Sequence, residues 1–343
     1  MKHAGRYTVV AVGTLLVAFV CAAGLFAWRL REARQIREVP VLMYHKIGAV
    51  TDNAWWVPTD VFERQLRALY FQGYATILPA DLVHHHKTGK RLPSKPVLIT
   101  FDDGYRDSLA TAEPLLKKYG FQAVVFLPTA FIAETPETRR SFEGQSCLIW
   151  PEVKAMQERR TFVFGGHSHR HENLIVAGDA EADIRECFDQ LRRHAIRQPF
   201  AFCYPHGEYN AQTTAAVKRA GFQCAFGCED RVAQTGRTNN LLELPRVSVM
   251  GGRHDFRVSN QTWAKRTDFT LNVHHEGIPI EVSPRLVVSG AVADQGWLPA
   301  VEVGNANYEW RWPRPAAQSK PLPPLRLEIW DKHRLFLLWS EKL

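Results

Sequence analysis

Between residues 41 and 249 the chain repeats one pattern: a short apolar run, a polar turn, then a stretch with apolar positions at helical spacing. Val41–Tyr44, Val97–Phe101, Ala123–Leu127, Thr161–Phe164, Phe200–Tyr204, Ala225–Gly227 and Leu244–Val249 read as strands. Several are apolar at every position, which suits parallel strands covered on both faces. Between them Thr59–Phe71, Tyr105–Tyr119, Pro151–Glu158, Ala180–His194 and Ala211–Ala220 read as helices. The first has Phe62, Leu66 and Leu69 on one face; the last has Asn210 as N-cap and Gly221 as C-cap. The alternation predicts an α/β fold with a parallel sheet. With about seven strands and no glycine-rich dinucleotide fingerprint, a (β/α) barrel is preferred to an open sheet. Its chemistry belongs at the carboxyl ends of the strands.

Both ends depart from this pattern. From Tyr7 to Trp28 no residue is charged, a 22-residue run long enough for a bilayer-spanning helix. A cleaved signal has a shorter apolar region of about 7–15 residues, and the run continues six residues past Val20-Cys21-Ala22. Beyond Asp268, Phe269–Val273, Arg285–Val288, Tyr308–Trp312, Leu325–Trp330 and Arg334–Trp339 read as alternating strands, with a hairpin turn at Asp331-Lys332-His333. The expected organisation is a tail over 1–6, a transmembrane anchor over 7–28, a linker over 29–38, a catalytic domain over 39–265 and a small β-rich domain over 266–343. Half of the ten tryptophans lie in that last domain, where packing is preferred to sugar stacking.

Composition narrows the class. Hydrophobic residues make up 45% and charged ones 23%, as in an ordinary folded protein. The net charge of +8 is spread without a Lys/Arg block or a nucleic-acid module, which argues against a nucleic-acid partner. Of the six cysteines only Cys224 and Cys228 are close, and no second pair has ligand spacing, so buried thiols are expected.

Three clusters follow predicted strands. In Thr100-Phe101-Asp102-Asp103-Gly104 adjacent side chains of a strand would point to opposite faces, so the carboxylates converge only if the strand bends, which Gly104 permits. One carboxylate would ligate a cation and the other would take a proton. The bland alternative is a helix-capping Asp. In Gly165-Gly166-His167-Ser168-His169-Arg170-His171, His167 and His171 have metal-ligand spacing, and His169 is expected to point away or act as outer support. The run His84-His85-His86 reads instead as a solvated helix end. In Phe202-Cys203-Tyr204-Pro205-His206-Gly207 proline and glycine set a loop that can aim backbone N–H groups into a cavity.

TFDDG, HSxxH and FxYPxG, in that order on alternating elements, resemble the polysaccharide deacetylase (NodB-homology, carbohydrate esterase 4) family over Pro40 to Val249. The opening Pro40-Val41-Leu42-Met43-Tyr44-His45-Lys46 resembles the branch acting on poly-N-acetylglucosamine exopolysaccharides. The resemblance implies a distorted (β/α) barrel of the NodB-homology type with a divalent metal, zinc being the expected ion. It implies Asp103, His167 and His171 as metal ligands, Asp102 as catalytic base and the Tyr204 backbone N–H as oxyanion donor, with Pro205 and Gly207 in support. The departing sugar amine needs a proton, and a histidine is the natural donor. The family's late histidine motif is matched only by Val273-His274-His275, whereas His45 ends the opening strand, as in the exopolysaccharide branch, and is preferred. The arginine expected beside the base is not found before Phe202; Arg246 is its replacement, and the family's Asp-Trp motif is missing.

The expected activity is therefore removal of N-acetyl groups from an extracytoplasmic polysaccharide. Lys2 and Arg6 precede the apolar run and Arg29, Arg31, Arg34 and Arg37 follow it, a charge balance that favours a cytoplasmic body. The position of the substrate takes precedence, giving an inner-membrane protein with its catalytic domain outside. Two other readings are a hydrolase of small amides, which needs no tether, and a glycan-binding pseudoenzyme organising polysaccharide synthesis, which needs no free base beside a metal.

Overall fold

The computed structural model describes Gly24 and residues 37–49, 53–196, 201–236, 239–251, 254–264, 268–277, 280–288, 301–303, 307–313 and 325–342. Apart from Gly24, the predicted membrane segment lies outside these residues. Among the described residues no helix is long and apolar enough to cross a membrane.

Seven strands form the centre: β1 (Val41–Tyr44), β2 (Pro96–Phe101), β3 (Ala123–Leu127), β4 (Phe162–Gly166), β5 (Ala201–Cys203), β6 (Cys224–Asp230) and β7 (Leu244–Ser248). Each pairs in parallel with the next, and β7 returns to β1 through Val247↔Leu42 and Ser248↔Met43, closing a barrel. The short strand Ala75–Thr76 lies against the start of β2. Helices α1 (Thr59–Phe71), α2 (Pro79–Thr88), α3 (Glu113–Tyr119), α4 (Trp150–Glu158), α5 (Ala180–Arg193) and α6 (Ala211–Ala220) are interleaved with the strands.

Burial on both faces of the strands resolves into two cores. Val41, Leu98, Val124, Phe126, Ala201, Cys224, Phe226 and Leu244 belong to one cluster. Their neighbours Leu42, Tyr44, Ile99, Phe101, Val125, Phe202, Ala225 and Val247 belong to another, with Phe62, Leu66 and Leu116 from the helices. Strand side chains alternate, so the first cluster is the barrel interior and the second is the layer between barrel and helices. Polar residues that continue the interior set, at Thr100, Asp102, His167 and Arg246, are buried.

Local signals explain the helix limits. The Asn210 side chain accepts from the N–H groups of Gln212 and Thr213, and Gly221 ends α6 in the left-handed conformation, as expected. The segment predicted as one helix from Tyr105 begins instead with a wide turn over Ser108–Ala112, and α3 starts at Glu113 ahead of Pro114. His84-His85-His86 lies at the end of α2, and His84 is exposed as expected, but the other two are not simply solvated: His85 is buried with Nδ1 2.7 Å from the Lys90 carbonyl, and His86 Nδ1 is 2.8 Å from that of Gly236.

The C-terminal strands form two antiparallel sheets. His254–Ala264, Asp268–Gly277 and Asn307–Pro313 make one; Val301–Val303, Ile280–Val288, Leu325–Asp331 and Leu337–Lys342 make the other. His254–Ala264 pairs with Asp268–Gly277 although the predicted domain boundary falls between them. The expected turn after Asp331 is present, and Leu335 and Phe336 beyond it are buried in the outer core. There Asp230 of β6 meets His333 Nε2 at 2.9 Å and Lys332 Nζ at 2.7 Å.

Candidate active site

Alternation along the strands delivers His45, Asp102, His167 and Arg246 to one end of the barrel interior. Asp102 and Asp103 are consecutive, so the second would face the outer layer if the strand continued. It does not: Asp103 has φ +67° and Gly104 φ +63°, and the left-handed pair folds the Asp103 carboxylate back. One ligand atom from each of Asp103, His167 and His171 lies within 4.8 Å of the other two. Asp103 Oδ1 is 3.4 Å from His167 Nε2 and 3.2 Å from His171 Nε2.

The orientation of His167 is fixed from behind, with Nδ1 2.8 Å from the Cys203 carbonyl. An N–H donated there leaves Nε2 as an electron-pair donor aimed at the carboxylate. Asp103 Oδ1 is buried and has no hydrogen-bond partner. Burial lowers the His167 pKa, but Asp103 and Asp102 outweigh it and the net direction is upward. This corner of the cavity calls for positive charge, and one carboxylate with two imidazoles suits a divalent metal. His169 points elsewhere, with Nδ1 2.9 Å from Thr129 Oγ1.

Arg246 holds Asp102 from the opposite side of the interior. Its NH1 donates to Oδ1 and its NH2 to Oδ2, both at 2.8 Å. Burial pushes the Asp102 carboxyl up, but the Arg246 and His167 charges outweigh it and hold it below the usual carboxylate range. The Cys203 thiol stands 3.6 Å from the same carboxylate, beside the guanidinium. His45 Nε2 is 3.8 Å from Asp102 Oδ2. Burial lowers the His45 pKa, and the nearby carboxylates only partly restore it.

A cavity of about 200 Å³ is lined by these groups and by Lys46, Trp55, Glu143, Tyr204, His206 and Cys228. The sequence reading did not select Lys46, Trp55, Glu143, His206 or Cys228. Trp55 and Glu143 sit on connections outside the barrel strands, where strand alternation gives no direction.

One expected role is contradicted. The Tyr204 N–H donates to the Phe226 carbonyl at 3.0 Å, so the barrel ladder has taken the proposed oxyanion donor. Its hydroxyl donates to the Leu242 carbonyl at 3.0 Å. Pro205 and Gly207 form the turn after it, and Gly207 has φ +73°, where an added Cβ would lie 2.3 Å from Cys228 Cβ, so glycine is required. His275 belongs to the antiparallel strand Asp268–Gly277, and its side chain lies outside the described residues.

Comparison with known proteins gives the family and the fold. The polysaccharide deacetylase family model matches residues 89–225. YxkH of Bacillus subtilis (strain 168), carrying that family's name, is 30% identical over 222 residues, 63% of this chain and 72% of its own length. The poly-beta-1,6-N-acetyl-D-glucosamine N-deacetylase of Escherichia coli (strain K12) is 23% identical over 228 residues, 56% of this chain but only 33% of that protein. The Streptococcus pyogenes deacetylase PplD, solved in complex with acetate, superposes with a TM-score of 0.55 at 25% identity, covering 62% of this chain and 93% of that one.

Proposed function

The chain belongs to the polysaccharide deacetylase family, a family of hydrolases, and from that premise we propose that it removes N-acetyl groups from N-acetylglucosamine-type residues of an extracytoplasmic polysaccharide, releasing acetate. The observation that carries this reading is the convergence of Asp103, His167 and His171 beside an Asp102 carboxylate kept ionised by Arg246.

Asp103, His167 and His171 would hold a divalent cation, zinc in our reading, which supplies acidification of water and polarisation of the acetamide oxygen. Asp102 is the base in this proposal: ionised at neutral pH and fixed by two hydrogen bonds, it accepts the proton of the attacking water. The same two bonds fix the carboxylate plane, so little reorganisation accompanies proton transfer. An amide does not expel a sugar amine anion, so the nitrogen must be protonated as its bond to carbon breaks. His45, on the wall of the cavity, is the proposed donor. Neutral at rest because burial lowers its pKa, it takes up the proton that Asp102 accepts from the water and passes it to the departing nitrogen; its Nε2 is 3.8 Å from Asp102 Oδ2. Burial of Asp102, His167 and Arg246 in the barrel lowers the local dielectric and strengthens the interactions among them.

The 22-residue apolar run over 7–28 supports anchoring the chain in the inner membrane, and the catalytic domain is assigned to the outside of the cytoplasm because the proposed polysaccharide lies there. Incubation of the full chain with a panel of acetylated glycans tests the activity. Acetate released from poly-N-acetylglucosamine oligomers supports the reading, and no acetate from any glycan in the panel rejects it.

A further inference from the structure

The catalytic groups account for one end of the cavity, but the exposed indole of Trp55 is not needed by them. Trp55 lines that cavity and is 37% exposed, whereas Tyr204, the other large aromatic there, is fully buried. An exposed tryptophan alone means little. This one is held in place. Its N–H donates to Asn53 Oδ1 at 2.9 Å. Its carbonyl accepts from the Lys46 N–H at 3.1 Å, and the carbonyl of the preceding Ala54 accepts from the Gly251 N–H at 2.7 Å. The residue after it begins the strand Trp56–Pro58, paired in parallel with Lys46–Gly48. The indole is thus presented from a braced backbone, which lowers the entropy lost when a ligand packs on it.

Its position relates it to the chemistry. The Trp55 ring centroid is 4.5 Å from that of His45, with the planes inclined by 47°. His45 in turn stands against Asp102. A pyranose has an apolar face of C–H groups and a rim of hydroxyls. The cavity offers a matching set: the Trp55 ring for the face, and the Lys46–Glu143 pair, 2.6 Å apart, for the rim. In the C-terminal sheets, by contrast, the Trp330 indole N–H donates to Glu328 within its own strand.

We propose that Trp55 is the stacking wall that selects a pyranose ring in this cleft and lays its acetamide against His45 and Asp102. The inference rests on the glycan substrate proposed above and adds the residue that recognises it. It makes Trp55 a specificity-determining residue, distinct from the groups that move protons.

The test compares wild type, Trp55→Phe and Trp55→Ala as full chains. Three quantities are read: kcat and KM for acetate release from an N-acetylglucosamine oligomer, the oligomer Kd by calorimetry, and turnover of 4-nitrophenyl acetate, which has no sugar. Trp55→Ala should raise the oligomer Kd and KM by about tenfold or more, change ester turnover less than about twofold, and be largely rescued in Trp55→Phe. An unchanged Kd and KM in Trp55→Ala overturns the inference. So does an equal loss on oligomer and ester without rescue by Phe, which would mean that the ring only supports His45. A wild-type chain that neither binds nor hydrolyses any glycan rejects the proposed function, and this inference with it. Glycan turnover by wild type with an indifferent Trp55→Ala rejects this inference alone.

Discussion

The guanidinium of Arg246 bridges both oxygens of Asp102 across 144 residues of sequence, inside a barrel whose other interior residues are mostly apolar. Each charge is tolerable there only because of the other. Arg246→Ala should therefore cost about 3–5 kcal/mol of stability and abolish activity. Arg246→Lys keeps the charge but loses the two-pronged geometry, and should retain more stability than activity. Thermal unfolding beside acetate release measures both. The pH dependence has a definite sign. The Asp102 carboxyl is held below its ordinary value because the Arg246 charge outweighs burial. Its contribution is present above the unfolded carboxylate pKa, about 3.9, and is lost as pH falls through the lowered folded value.

Separating base from ligands is the next prediction. Asp102→Asn should lose deacetylation and keep its metal, whereas Asp103→Ala and His167→Ala should lose the metal as well. Elemental analysis of the purified full chain decides this. Loss of metal in Asp102→Asn would exchange the two aspartates. Chelation of the wild type should abolish activity and lower the melting temperature, because an ion bound only by the folded state stabilises it.

His45→Ala should slow amide hydrolysis by about 10²–10⁴-fold. It should slow hydrolysis of an activated aryl ester much less, because a phenolate leaves without a proton. His275→Ala should leave both rates near wild type. Equal effects of His45→Ala on amide and ester would remove His45 as the proton donor.

A fourth prediction concerns Asp107, whose Oδ2 accepts the Ile47 N–H at 2.8 Å while Oδ1 is buried without a partner. Burial pushes its carboxyl up to about 7. The folded state thus holds a proton that the unfolded state releases near pH 4, so this residue destabilises the fold increasingly as pH rises from about 4 to 7. Asp107→Asn keeps an acceptor for Ile47 without the charge. Its stability relative to wild type should improve by on the order of 2 kcal/mol between pH 5 and pH 8. Denaturant melts at the two pH values check this; a constant difference would show that Asp107 does not titrate as stated.

The sequence by itself determined the barrel and named the aspartates and histidines that converge at one end of it, for reasons that are local. Apolar runs of strand length, Asn210 and Gly221 at the ends of α6, and Gly104 after the paired aspartates act within a few residues. The histidine pair likewise declared itself by spacing. What only the tertiary structure decided depends on closure of the barrel. The family resemblance nominates Arg246 as the partner of Asp102, but no local pattern shows the contact; the two meet because β7 and β2 both flank β1 and both residues continue interior positions. Nothing in the sequence shows that the Tyr204 N–H is engaged; the neighbouring strand supplies the Phe226 carbonyl that accepts it. Trp55 carries no motif, and its exposure beside His45 follows from backbone contacts with Lys46 and Gly251 that the linear order does not announce. Short-range preferences choose elements, whereas hydrogen-bond partners and cavity walls are set by residues far apart in the chain.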